Sequence, residues 1–173
     1  MRSAVLAIMV AVAAGAAGLF AYRTTVTENI SAIAAVELGR LRLPDRYGEN
    51  QSLEQWRDRI LIVNFWATWC EPCREEVPDL LKIQAKYAAK SVQVIGIAVD
   101  SAAKVGQFAD EYRIRYPLLI GGMAVIDLIQ RLGNTAGGLP YTIVMDASGR
   151  VIAKHLGRIS EAQLEAAVRR ASD

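Results

Sequence analysis

Cysteine and histidine are scarce in this chain. Its 173 residues hold two cysteines and one histidine. Two cysteines are too few for a disulfide scaffold, and a chain of this length can bury a core without one. A structural zinc site takes four Cys or His ligands. Cys70, Cys73 and the distant His155 do not supply them, so no metal site is expected. An excess of either charge is also missing. Lys and Arg number 20 against 18 Asp and Glu, and the basic residues are scattered. That near balance leaves no electrostatic footprint for nucleic acid. There is no internal repeat.

Charge is absent altogether from one stretch. Between Arg2 and Arg23 the run from Ser3 to Tyr22 is uncharged and apolar all round. Twenty residues at about 1.5 Å each span roughly 30 Å, the thickness of a bilayer core. Tyr22 at its end suits a membrane interface. The competing reading is a cleaved signal peptide, with a cut among the small residues Ala13 to Gly18. The run is longer than a usual signal core, which favours an uncleaved anchor. Arg2 and Arg23 nearly cancel, so charge specifies orientation weakly. Either reading carries the remaining chain across a membrane.

Residues 23–38 read as a juxtamembrane spacer with no strand pattern. From about Gly39 the texture turns globular, with 53% hydrophobic residues overall to fill a core. "RLRLPD" ends at Pro44 as a short edge strand. "YGENQSL" reads as a turn, and "SLEQWRD" as a short helical turn started by Ser52. "ILIVNFWA", residues 60–67, is a continuous apolar run typical of a strand buried on both faces. Helical spacing follows from Glu71, with Pro72 in its first turn and Pro78 inside it. "VQVIGIAVD" is a second buried strand. Ser101 opens a helix, "YPLLIG" is a short strand, and "GMAVIDLIQRLG" is a helix closed by Gly133. "LPYTIVMD" and "VIAKHLG" are strands joined by the tight turn "ASGR", and Ser160 caps a last amphipathic helix. Alternating strands and helices predict an α/β domain. The antiparallel final pair makes its central sheet mixed.

"ATWCEPCREEVP", residues 67–78, holds both cysteines. Cys70 falls where the strand stops and the helix begins, among free N–H groups at the positive end of the helix dipole. A thiolate is stabilised there, so the thiol pKa falls below its free value. Cys73, one turn on, can attack a mixed disulfide on Cys70 and expel the partner. A static staple closing so short a loop would stabilise little. Cys70 is therefore assigned as the nucleophile and Cys73 as the resolving thiol. Trp69 is placed beside Cys70 as part of the partner surface, and Trp66 in the core or just behind the site. His155 is read as structural.

The block "VNFWATWCEPCREEVP" resembles the active-site stretch of the thioredoxin superfamily. More closely, it resembles the membrane-anchored TlpA/ResA-like reductases of the bacterial cell envelope, a group that includes the cytochrome c maturation thioredoxins. The resemblance covers roughly residues 39–173, about four fifths of the chain. "GLPYT" matches the family's cis-proline segment, and "VIGIAVD" with the helix after it resembles the insert these proteins carry. The resemblance implies a thioredoxin-like fold: a central mixed sheet flanked by helices, behind an N-terminal transmembrane helix. It implies a cis bond from Leu139 to Pro140, facing Cys70. The Leu139 backbone would then pair with an extended substrate segment, with Trp69, Glu71 and Pro72 completing the contact surface.

Three further positions refine this. Asn64 stands where typical cytosolic thioredoxins have a buried acid, and an amide cannot take a proton from Cys73. Glu76, three residues after Cys73, shares its side of the helix and could take that proton. In the ResA-like group a glutamate at the matching place is implicated in acid–base behaviour. The competing reading of Glu76 is a solvated helix residue. Glu71, between the cysteines, opposes thiolate formation. The Glu-Pro pair matches the ResA-like motif and points to a reductant.

The expected activity is thiol–disulfide exchange at the redox-active pair Cys70 and Cys73, reducing envelope proteins such as apocytochrome c or copper-site proteins. No cofactor is expected. The expected partners are a disulfide-containing substrate, a transmembrane electron donor and the membrane. The chain is expected to be monomeric in the inner membrane, its domain facing the periplasm. The alternatives are an oxidant or isomerase, a thiol peroxidase and a copper-binding protein. Thr68 precedes Cys70 as in peroxidases, but their proline-led motif is missing. Met123 and Met145 show no recognisable metal spacing.

Overall fold

A computed structural model of the chain describes residues 2–87, 89 and 91–172; within the first helix the side chains at 2–8, 10, 11, 24 and 27–30 fall outside that description. That helix, α1, runs from Arg2 to Gly39 without a break. Residues 23–38 are thus helical throughout, where the sequence reads as a spacer of mixed character. The last turns of α1 pack into the domain. Ala34, Ala35 and Leu38 are buried, and Glu37 pairs with Arg131 on a later helix. Tertiary burial supplies what local propensity lacks. Among the described residues no helix is long and apolar enough to cross a membrane. Of the anchor expected over 3–22, the described side chains, at 9 and 12–22, are all exposed, and the others lie outside the description.

The two strands β1 (Arg42–Pro44) and β2 (Asn50–Ser52) pair antiparallel as a small separate sheet. The stretch read as a turn is therefore half strand. Asp45 gathers the turn by accepting from the Tyr47 and Glu49 amides, which frees Asn50–Ser52 to fold back. Ser52 caps the 3-10 turn Leu53–Trp56 through the Glu54 amide, as expected.

The main sheet has five strands in the order β5-β4-β3-β6-β7. Its centre is β3 (Ile60–Trp66), buried at all seven positions. It pairs parallel with β4 (Val92–Ala98) and antiparallel with β6 (Tyr141–Met145). With neighbours on both edges and helices on the faces, an almost wholly apolar run suits it, and its one polar residue, Asn64, is hydrogen-bonded. β5 (Leu118–Ile120) extends the parallel side, and β7 (Val151–Leu156) the antiparallel side. The sheet is mixed for the reason expected: the tight turn after β6 forces an antiparallel return. Gly96 in β4 has no room for a side chain. A Cβ there would lie 2.6 Å from a Leu118 methyl and 2.9 Å from Trp66 Nε1.

Helix α2 (Glu71–Tyr87) follows β3 and continues through Pro78, whose side is exposed. Val77, Leu80 and Ile83 form its buried stripe. α2 packs against β4 and against α5 (Glu161–Ser172), which also lies on β3, β6 and β7. Ser160 and Gln163 cap α5 reciprocally, each holding the other's amide. Helix α3 (Ala102–Glu111) begins after Ser101, which has extended N-cap geometry but makes no side-chain cap bond. Its side chain therefore does not open the helix in the way its type predicts. The expected helix over 122–133 divides into a 3-10 turn, Gly122–Ala124, and α4 (Val125–Arg131). Gly133 ends it at φ +110°.

Candidate active site

The site begins where β3 stops. Val99 N–H holds the carbonyl of Trp66 at 2.8 Å, and Cys70 N–H turns back to Ala67 at 3.2 Å. The Cys70 carbonyl accepts from Arg74 N–H at 3.3 Å, which makes Cys70 the N-cap of α2. Thr68 in this turn donates its hydroxyl to Asp100, just beyond β4. The reactive loop is thus tied to both central parallel strands.

Cys70 and Cys73 are joined by a disulfide, with Cα atoms 5.3 Å apart. Cys70 is 6% exposed and Cys73 1%. The more accessible cysteine is therefore the one at the helix start, where the dipole favours a thiolate once the bond is reduced. Trp69 beside it is exposed, while Trp66 is buried against Phe108. Glu71 and Pro72 occupy the exposed first turn of α2.

Glu76 faces inward from α2, one turn after Cys73, and is fully buried. The solvated alternative for this residue does not describe it. One carboxylate oxygen accepts from Asn64 Nδ2 at 2.7 Å, and the other from Ile159 N–H at 3.0 Å. Asn64 also donates to Thr142 Oγ1 at 3.0 Å, on the neighbouring strand β6. Burial pushes the Glu76 carboxyl up to about 7, against the opposing pull of the Ile159 and Asn64 bonds and of the Arg158 charge. A group balanced there can either hold or release a proton at neutral pH.

The peptide bond between Leu139 and Pro140 is cis. In the register of β3 and β6, Tyr141 lies opposite Phe65. Pro140 therefore sits at the level of Trp66, at the end of the sheet from which the Cys70 loop departs. The preceding turn is held by Asn134, which is buried. Its side chain accepts from Gly138 N–H at 3.2 Å and donates to Gly138 C=O at 2.7 Å. Leu139 is half-buried beside it.

One end of the sheet thus gathers Cys70, Cys73, Glu76, Leu139 and Pro140. His155 does not join the disulfide; its ring nitrogen meets the Arg158 carbonyl at 3.0 Å. Ile159 binds Glu76, Arg158 acts on it through its charge, and Thr142 accepts from its donor Asn64, yet nothing in their sequence context marks them. They arrive from strands and loops distant along the chain, which no local spacing reveals. Asn64 reads in the sequence only as a missing acid. In the fold it is the donor that holds the acid supplied by α2.

The redoxin family model matches residues 27–168. The chain belongs to that family. It is 33% identical over 122 residues to the thioredoxin-like protein YneN of Bacillus subtilis (strain 168), covering 68% of each chain. It is 27% identical over 161 residues to the thiol-disulfide oxidoreductase ResA of Bacillus thuringiensis (strain Al Hakam), covering 91% of this chain and 90% of that one. Among solved structures it resembles a thiol:disulfide interchange protein of the thioredoxin family from Chlorobium tepidum TLS. The TM-score is 0.67 and the identity 30%, over 77% of this chain and 93% of that one. This redoxin is accordingly a thioredoxin-like thiol-disulfide oxidoreductase of the ResA type, and its redox pair is Cys70 and Cys73.

Proposed function

We propose that this oxidoreductase is a reductant, tethered to the membrane by residues 3–22, acting on disulfides of extracytoplasmic proteins. The observation that supports this reading is a buried Glu76, its carboxyl pushed up to about 7 by that burial, one turn from the buried cysteine. In the reduced enzyme the Cys70 thiolate attacks one sulfur of a substrate disulfide. The substrate bond breaks, a Cys70–substrate disulfide forms, and the departing sulfur takes a proton. The Cys73 thiol gives its proton to the Glu76 carboxylate, and its thiolate attacks Cys70 Sγ. The Cys70–Cys73 disulfide closes, and the second substrate sulfur leaves as a thiolate. Two electrons have passed to the substrate. The backbone at Leu139 pairs with the extended substrate chain, and Trp69, Glu71 and Pro72 border it.

Substrates of this reading are disulfide-bearing envelope proteins, among them apocytochrome c and copper-site proteins. The electron donor is a dithiol carried by a transmembrane protein. The enzyme works as a monomer in the inner membrane, with its domain in the periplasm. Equilibration with glutathione tests the direction of transfer. A reductant has a potential well below about −200 mV, nearer to thioredoxin at about −270 mV. A value near −120 mV would make it an oxidant. Carbonate extraction tests the tether: an uncleaved chain retaining Arg2 stays in the membrane fraction, whereas a soluble chain starting near Gly18 shows cleavage.

A further inference from the structure

One short segment reaches into two parts of the site. Gly157 N–H donates to the carbonyl of Pro140 at 2.9 Å. Two residues on, Ile159 N–H donates to Glu76 Oε2 at 3.0 Å. Between them the Arg158 carbonyl lies 3.0 Å from His155 Nε2. A carbonyl only accepts, so that ring nitrogen carries a proton. The Arg158 guanidinium pairs with Glu75 at 3.6 Å and with Asp79 at 3.5 Å, both on α2. The segment is therefore tied at one end to the cis-proline and at the other to the buried carboxylate. Its middle is fastened to the helix that bears Cys73 and Glu76.

We propose that Gly157–Ile159 couples the backbone that receives the substrate to the acid that serves Cys73, with Arg158 as the positioning residue that holds the segment on α2. This rests on the reading above, in which Leu139 pairs with substrate and Glu76 accepts the Cys73 proton. When Glu76 is ionised, its bond to the Ile159 amide is charge-assisted and about twice as strong as a neutral one. Protonation weakens that bond and loosens the segment, whose other end holds Pro140. Coupling is reciprocal, so substrate pairing at Leu139 changes the proton affinity of Glu76 by the same factor. Pairing that draws Pro140 and Gly157 outward pulls the Ile159 amide from Glu76. The carboxylate then takes up the Cys73 proton at the moment the mixed disulfide must be resolved.

The groups facing Glu76 are few. Arg158 comes from the segment itself, Asp79 from α2, and Tyr116 from the chain before β5; Cys73 lies one turn before Glu76 on α2. Asn64 and Thr142, neutral, come from β3 and β6. In the oxidised protein Cys73 does not titrate. Histidine is the other side-chain type that changes charge near neutrality, and His155 touches Arg158, so a His155→Gln variant removes its contribution.

The test is an amide NMR titration of the oxidised full-length chain in detergent micelles, from pH 5 to 9. The Ile159, Gly157 and Leu139 amides should shift with one shared midpoint. That midpoint should persist in His155→Gln and vanish in Glu76→Gln. Arg158→Gln should leave the Ile159 titration in place but cut the response at Gly157 and Leu139 by more than half, and Arg158→Lys should restore most of it. With insulin as substrate and dithiothreitol as donor, Arg158→Gln should raise KM more than threefold while kcat changes less. Titration of Ile159 alone, with Gly157 and Leu139 flat, overturns the coupling. Should the three amides move together while Glu76→Gln leaves the pH profile of insulin reduction unchanged, the coupling stands and the assignment of Glu76 as proton acceptor fails.

Discussion

Asn64 Nδ2 lies 2.7 Å from Glu76 Oε1, joining the middle strand of the sheet to the buried face of α2. The strand supplies the donor and the helix supplies the acid. An amide at position 64 thus does not leave the site without a proton acceptor. It orients one, and with the Ile159 amide it satisfies both oxygens of a carboxylate that would otherwise be costly to bury.

The raised Glu76 pKa has a consequence for stability. A carboxyl whose pKa rises on folding contributes stability fully below its unfolded value, and loses it as pH climbs through the folded value. For Glu76 that window runs from 4.5 to about 7. At about 1.4 kcal/mol per tenfold, the rise corresponds to roughly 3 kcal/mol. Glu76→Gln should therefore gain stability relative to the native chain as pH goes from 5 to 8. Thermal unfolding of the oxidised protein at the two pH values measures it; the expected relative gain in Tm at pH 8 is several degrees. An identical difference at both values would show that Glu76 is ionised throughout.

Asn64→Asp would set two carboxyl groups within hydrogen-bond distance in a buried site. They cannot both ionise cheaply, so the pair should share one proton, and its second ionisation should lie well above neutrality. The variant should be close to the native chain in stability near pH 5 and lose several kcal/mol by pH 9. Unfolding in urea across that range reads the difference directly.

The two sulfurs differ in access and in position on the helix. Cys70 is the more exposed and caps α2, whereas Cys73 is buried within it. In the reduced protein at mildly acidic pH, iodoacetamide should label Cys70 first, as read by peptide mass. Cys73→Ala should accumulate mixed disulfides with partner proteins, and Cys70→Ala should not. Faster labelling of Cys73 would reverse the two roles.

Glu71 is exposed in the first turn of α2, between the two cysteines. Removing its charge should favour the Cys70 thiolate and make the protein more oxidising. Because water screens an exposed carboxylate, Glu71→Gln should raise the potential by no more than about 30 mV, a tenfold change in the exchange equilibrium. Glutathione equilibration of both proteins measures it, and a fall in potential would contradict the electrostatic argument.

Much of this protein is legible along the chain because its signals are local. An apolar run interrupted by Asn64 alone announces the central strand, since a strand with helices on both faces of its sheet is buried on both sides. The Cys-x-x-Cys pair after that strand announces a thiol at a helix start, because the strand-to-helix junction lies within the same few residues. Helical spacing brings Glu76 to the side of α2 that carries Cys73. It does not say whether that side meets water or protein. Burial there depends on α5 and the segment before it folding over α2. The Ile159 amide that binds Glu76 lies 83 residues away along the chain. The same holds for α1, whose final turns are packed because Ala34, Ala35 and Leu38 are buried in a core whose other members lie far along the chain. The sequence alone placed the cysteine pair at a strand-to-helix junction and showed where the core strands run. Only the tertiary structure decided the burial of Glu76 and the rise of its pKa, because a carboxyl's pKa is set by the dielectric and the donors around it, and those arrive from distant parts of the chain.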